Sequence, residues 1–170
     1  ADGSAPHHGP VRPASRDRAP APVSRPESCP CGSGAGLAAC CGRLHARFAR
    51  DGALTAPTAE ALMRSRYTAF ARLGEAGPAE ARAMADYLAA TWVPEHRPTA
   101  AELLPTEGEQ APRFTRLAVL DVRDGGPFQD AGTVEFVAVG TGAEGRFRLH
   151  EVSRFRREDG IWRYVDGDVR

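Results

Sequence analysis

A chain of 170 residues with 42% hydrophobic side chains can build one real core but not two large ones. No apolar run approaches the ~20 residues of a membrane-spanning helix. The first 28 residues, rich in Pro, Ala, Ser and Arg, also lack the apolar stretch of a secretory signal, so the chain reads as soluble and cytoplasmic. The formal charge of zero is uneven: residues 1–50 carry seven arginines against three acids, net +4, and residues 51–170 carry fifteen against nineteen, net −4. All 22 basic residues are Arg, Asn is absent and Ile161 is the sole isoleucine. Lys, Asn and Ile use AT-rich codons, so this usage points to a GC-rich bacterial genome. Arginine abundance therefore does not argue for nucleic-acid recognition, beyond a weak, salt-sensitive contact of the basic arm with ribosomal RNA.

Residues 1–28 hold six prolines and almost no large apolar side chains, which predicts a disordered arm. His7 and His8 lie in that arm without preorganised partners and are not read as metal ligands. Residues 29–50 form a cysteine knuckle, with a short helical stretch at about 37–44. After a linker, residues 56–170 make the main domain. Thr58 is placed to cap a helix reaching about Leu73. A second helix spans about Pro78 to Ala90, with Pro suited to its first turn. Its apolar stripe runs Ala81, Met84, Ala85, Leu88, Trp92. A short third helix falls near 98–104. From Arg113 the period changes to two, giving strands at 113–123, 132–140, 146–157 and 161–166. Helices first and an antiparallel sheet afterwards read as α+β, with the helices on one sheet face.

The knuckle sequence CPCGSGAGLAACC sets Cys29 and Cys31 one residue apart, then Cys40 and Cys41 after eight more. Four soft ligands within thirteen residues suit one tetrahedral, structural zinc ion, and the intervening glycines let the backbone reverse towards it. A reducing compartment and the strained geometry of such close pairs disfavour disulfides. Redox chemistry and another thiophilic metal are the competing readings. His45, four residues after Cys41, is near enough to replace one ligand or to stand behind the set, though four thiolates make it unnecessary.

Arg66 sits within the buried stripe marked by Leu62, Ala69, Phe70 and Leu73, so it must either snorkel to a rim or meet a carboxylate inside. Asp159-Gly160 is a good two-residue hairpin turn. That register sets Phe155 opposite Tyr164 and Ser153 opposite Asp166, and strict alternation turns Glu151 and Asp166 towards the helices. The candidate pocket is then Arg66, Tyr67, Trp92, Glu151, Ser153, Tyr164 and Asp166, aromatic walls with a few convergent polar groups. The competing reading is a purely structural Arg–carboxylate network. His150, on the other strand face, and His96, in a loop, do not look catalytic. No nucleophile–base arrangement is readable outside the knuckle.

The spacing Cys-x-Cys-x8-Cys-Cys resembles the SEC-C motif, the zinc knuckle also found at the end of the bacterial preprotein-translocase motor. With LMRSRYTAF (62–70), YLAATW (87–92), EVSRF (151–155) and WRYVDG (162–167) following in order, the chain resembles the YchJ-like family. The resemblance implies a nuclear transport factor 2-like, cystatin-type cone of about three helices on a curved antiparallel sheet, behind a small zinc knuckle. Members of that family carry no assigned biochemical activity, so it implies no reaction and no catalytic residue. It does suggest an adaptor that docks through the knuckle to chaperone, translocation or ribosomal partners, with Arg43, Arg47 and Arg50 extending the surface. The alternative is a small-molecule binder, or an isomerase- or hydrolase-like enzyme, using the cone cavity; fold analogy alone is a weak warrant for either chemistry.

Overall fold

The computed structural model describes residues 26–170, so the arm expected at 1–28, with His7 and His8, lies almost wholly outside the described residues. Glu27 and Ser28 belong to the knuckle instead. Ser28 bridges Gly36, and the Leu37 amide donates to the Glu27 carbonyl at 2.7 Å. A 3-10 turn at Leu37–Ala39 leads into helix α1, Cys41–Asp51. This helix runs well past the stretch expected at 37–44, and Gly52 ends it in the left-handed conformation at φ 74°.

Helix α2 covers Ala59–Glu75, capped by Thr58, whose Oγ1 accepts from the Ala61 amide at 3.0 Å. Helix α3 spans Pro78–Ala90 with proline in its first turn, and α4, Ala100–Leu103, carries a Thr99–Glu102 capping box. Strands β1 (Arg113–Asp124), β2 (Ala131–Gly142), β3 (Gly145–Glu158) and β4 (Ile161–Val169) form one antiparallel sheet in chain order. The sequence reading of α3 matches at both ends, and the four strands fall where the period-two pattern places them.

Bulges bend this sheet. Register shifts follow Phe114 and Val119 in β1, and another separates Tyr164 from Asp166 in β4. Each bulge resets the alternation, so Phe114, Leu117 and Val119 all pack against the core that holds Phe136 and Ala138. The free edge of β4 is partly covered by the chain leaving α3. Val93 donates to the Tyr164 carbonyl at 2.9 Å and Tyr164 donates to the Thr91 carbonyl at 2.7 Å. Trp92 therefore belongs to this bridge rather than to the helical stripe assigned to it.

Helix α2 is the axis of the molecule. Its buried residues run from Ala59 to Leu73 and include Ser65, Arg66, Tyr67 and Thr68, so it is enclosed on nearly every side rather than along one stripe. One core cluster joins Cys29, Cys31 and Cys41 of the knuckle to Leu62, Met63 and Tyr67 of α2 and then to Val134, Phe155 and Trp162 of the sheet. A second packs α2 against α3 through Ala69, Leu73, Met84, Tyr87 and Leu88. The knuckle is thus docked onto the domain it precedes. Arg64 on α2 donates to the Cys31 carbonyl at 2.8 Å, and the Thr68 hydroxyl lies 3.8 Å from the Cys29 sulfur.

Candidate functional site

Helix α2 separates two polar clusters. On its knuckle side, Cys29, Cys31, Cys40 and Cys41 bring their sulfurs within 4.8 Å of one another. All four are free thiols. A tetrahedron with metal–sulfur bonds of about 2.3 Å has edges of about 3.8 Å. The Cys31–Cys40 and Cys40–Cys41 sulfurs lie 3.7 and 4.0 Å apart. Spacing and donor chemistry together fit one thiophilic metal ion with every corner filled. The backbone gets there through Gly32 and Gly34, at φ 78° and 86°, values that an L side chain resists.

The thiols are not electrically equal. Burial pushes those of Cys29 and Cys41 up. Burial acts on Cys31 in the same direction, but hydrogen bonds centred on Ser33 outweigh it and bring it down to about 7. Four neighbouring thiolates in such a place require a compensating cation.

His45 takes no part in this set. Its Nε2 donates to the Ser65 carbonyl at 2.8 Å, and its Nδ1 accepts from Arg72 at 3.0 Å, an arrangement that fixes the neutral tautomer. Arg72 is itself ion-paired with Glu80. Burial, with the Arg72 charge beside it, pushes His45 down to about 4. His45, which four thiolates make unnecessary as a ligand, is a latch between α1 and α2.

On the sheet side of α2 lies a cavity of about 320 Å³, at the small end of ligand sites, lined by Arg66, Tyr67, Trp92, Glu151, Ser153 and Tyr164 of the expected pocket. Asp166 is not among its walls. The bulge in β4 pairs Phe155 with Tyr164 as expected but sets Arg154, not Ser153, opposite Asp166. Asp166 therefore turns to the outer face and pairs with Arg154 at 2.5 Å, beside Asp168 at 2.7 Å. Gly167 takes the inward position opposite Ser153. A Cβ there would stand 2.3 Å from Glu151 Oε1, so the missing side chain is what lets the Glu151 carboxylate lie against β4.

Strict alternation cannot foresee that phase change. Sequence reasoning also passed over Phe70, Phe114 and Phe136, the apolar walls. Phe114 was hidden because a bulge separates it from the rest of its face.

Arg66 is 7% exposed. Its Nη1 donates to Thr91 Oγ1 at 2.5 Å and, at 3.5 Å, towards the Leu88 carbonyl; these are the hydrogen bonds of its guanidinium among the described residues. The rings of Tyr164, Trp92 and Phe70 lie 4.2, 5.0 and 6.0 Å from its Cζ. The expected Arg–carboxylate pair is not made. Glu151 acts on Arg66 only through space, while burial brings the guanidinium down to about 10.

Glu151 is held by hydroxyls instead, accepting from Ser153 at 2.8 Å and from Tyr164 at 3.1 Å. Among the described residues, Trp92 Nε1 and the Tyr67 hydroxyl are buried without a hydrogen-bond partner, as is Trp162 Nε1 away from the cavity. Each such donor costs about 1–3 kcal/mol, and a buried cation lacking its anion several more, offset only in part by the aromatic faces.

The arginines expected to form a docking surface lie along α1. Arg47 pairs with Asp51 at 2.8 Å, and Arg50 lies 3.8 Å from the same carboxylate. Arg43 is exposed. His150 meets Glu135 at 3.0 Å, away from the cavity.

Comparison with known proteins agrees with this architecture. Residues 58–167 match the family model of the YchJ middle domain, which is NTF2-like, and residues 25–43 match the SEC-C motif. A UPF0225 protein of Streptomyces coelicolor is 44% identical over 140 residues, 82% of this chain and 94% of that one. A UPF0225 protein of Chromobacterium violaceum is 47% identical over 145 residues, 84% and 93% of the two chains. Among solved structures, a SEC-C motif containing protein from Rhodopseudomonas palustris aligns with TM-score 0.63 at 34% identity, over 82% of this chain and 96% of that one. A SEC-C motif containing protein from Psychrobacter arcticus shares the fold, with TM-score 0.61 at 23% identity, over 84% of this chain and 82% of that one. With a SEC-C motif at its N-terminal side and an NTF2-like middle domain matched over most of its length, the chain belongs to the YchJ-like UPF0225 family.

Proposed function

We propose that this protein is a small-molecule binder whose working site is the cavity between α2 and the sheet, and that the four cysteines hold one structural zinc ion as a clip. The observation that carries the reading is the buried Arg66, which pairs with no carboxylate among the described residues, in the wall of an apolar cavity. A helix this enclosed gains nothing structural from an unpaired guanidinium that a Met or Leu would not supply more cheaply. The zinc would be bound by Cys29, Cys31, Cys40 and Cys41. With all four positions taken it would supply folding energy rather than a reaction. Free thiolates suit a reducing cytoplasm.

An adaptor docking through the knuckle to a chaperone, translocation or ribosomal partner has less to rest on. The cysteines share their core with α2, and Asp51 offsets the charge of Arg47 and Arg50.

The test is fluorine NMR with a neutral probe, 4-fluorobenzyl alcohol. The cavity reading expects saturable binding that disappears in Ala138→Leu, a substitution that fills the cavity from the β2 wall. Binding left intact by that substitution would place the probe elsewhere and count against the cavity.

A further inference from the structure

We infer that the cavity takes a small monocarboxylic acid with an apolar, preferentially aromatic body, its carboxylate against Arg66 and its body along Phe114, Phe136 and Leu149; this rests on the cavity reading above. The polar groups are sorted by position. On the helix wall stands the Arg66 guanidinium, with Nη1 engaged by Thr91 and Leu88 and with Nε and Nη2 lacking a partner among the described residues. Trp92 stacks at 5.0 Å from Cζ, and its indole N–H is a buried donor lacking an acceptor among the described residues. What this wall lacks is an anionic acceptor, and a carboxylate matches the two-nitrogen edge of a guanidinium in charge and in geometry.

The opposite wall sets the ligand's total charge. Glu151 lies there with its oxygens taken up by the Ser153 and Tyr164 hydroxyls and, among the described residues, with no ion-pair partner. The Tyr164 ring stands between the two charges, with Arg66 over its face at 4.2 Å and Glu151 at its hydroxyl. A second negative charge on the ligand would be driven towards Glu151 with nothing to neutralise it, so dianions are excluded. Between the walls the lining is apolar and aromatic: Phe70, Phe114, Phe136, Ala138 and Leu149. Phe114 packs edge-on to Phe147 and to Tyr67, at 5.3 and 5.6 Å, leaving rigid ring surfaces for a flat body to lie on.

The experiment compares three probes on the full, metal-loaded chain by fluorine NMR and competition. The probes are 4-fluorophenylacetate, its neutral amide 4-fluorophenylacetamide, and the dianion 1,4-phenylenediacetate as competitor. The acid should bind roughly 10- to 100-fold more tightly than the amide, the span of a charge-assisted hydrogen bond set against a neutral one. The dianion should fail to displace it.

In Arg66→Met the preference for acid over amide should vanish while the amide still binds. Trp92→Phe, which keeps the ring and removes the N–H, should weaken the acid more than the amide. The acid–amide ratio is read on the unmodified chain, so misfolding of a variant does not rescue the inference. Equal affinity for acid and amide, both lost in Ala138→Leu, would overturn the carboxylate assignment and leave the cavity reading standing. Displacement by the dianion would overturn the single-charge assignment. No binding by either probe, or binding that Ala138→Leu does not affect, would overturn both.

Discussion

The two faces of α2 treat polar groups in opposite ways. On the knuckle side the groups converge on one another: four sulfurs lie within 4.8 Å, spaced for one shared ion, and His45 is held at both nitrogens. On the sheet side a cation is buried beside aromatic rings with one hydroxyl and one carbonyl for company, and the Trp92 indole N–H beside it has no acceptor among the described residues. A closed cluster contributes to holding the fold. An open one costs stability and is explained by what it can bind. The closed side should therefore be expensive to disturb and the open side cheap.

Cys41→Ser, or stripping the metal with a chelator, should have the largest effect. It should lower unfolding free energy by on the order of 5 kcal/mol or more, measured by urea denaturation. The knuckle sulfurs share a core with Leu62, Met63 and Tyr67, so the loss should reach the whole domain and not stop at a frayed N-terminal segment. A transition unchanged on chelation would break the comparison from its closed side.

The His45 latch gives a smaller, pH-dependent effect. Its folded-state value of about 4 lies below the ordinary 6.5. Between those two values the unfolded chain takes up a proton that the folded chain refuses. Stability from this group is complete above about pH 6.5 and is lost as pH falls towards about 4, by about 3 kcal/mol in all. Thiolate protonation adds its own acid sensitivity, so the informative quantity is the difference in slope between the parent and His45→Gln. The variant should be flatter across that window, and equal slopes would remove His45 from the account.

The smallest effect belongs to the open side. Arg66→Met should change unfolding free energy by no more than about 1 kcal/mol, or raise it, because the lost Thr91 contact is offset by the relief of burying a charge. A loss of 3 kcal/mol or more would mean that Arg66 is a structural post.

How much of this was legible beforehand follows the physics of each element. Helix α3 was read to the residue because Pro78 and the apolar spacing up to Leu88 are local signals. The turn at Asp159-Gly160 was likewise local and set Phe155 opposite Tyr164. The cysteine cluster needed only spacing. Asp166 was misplaced because one extra residue in β4 reverses the alternation, and bulges leave no reliable mark in a single sequence. Helix α1 extends beyond the expected 37–44 as far as Gly52, an ordinary and local C-terminal signal. The burial of Arg66 was anticipated from its stripe, but its partners were not. Thr91 caps the C-terminus of α3 and reaches Arg66 through the packing of α3 on α2, a contact across the fold with no local trace.

The most direct test of the contrast is native mass spectrometry of the full chain and of Arg66→Met, each with 4-fluorophenylacetate. The parent should carry one zinc ion and one acid, and Arg66→Met one zinc ion with the acid reduced to the occupancy of the neutral amide. A folded chain without metal would contradict the closed site, and acid retained by Arg66→Met at the parent's occupancy would contradict the open one.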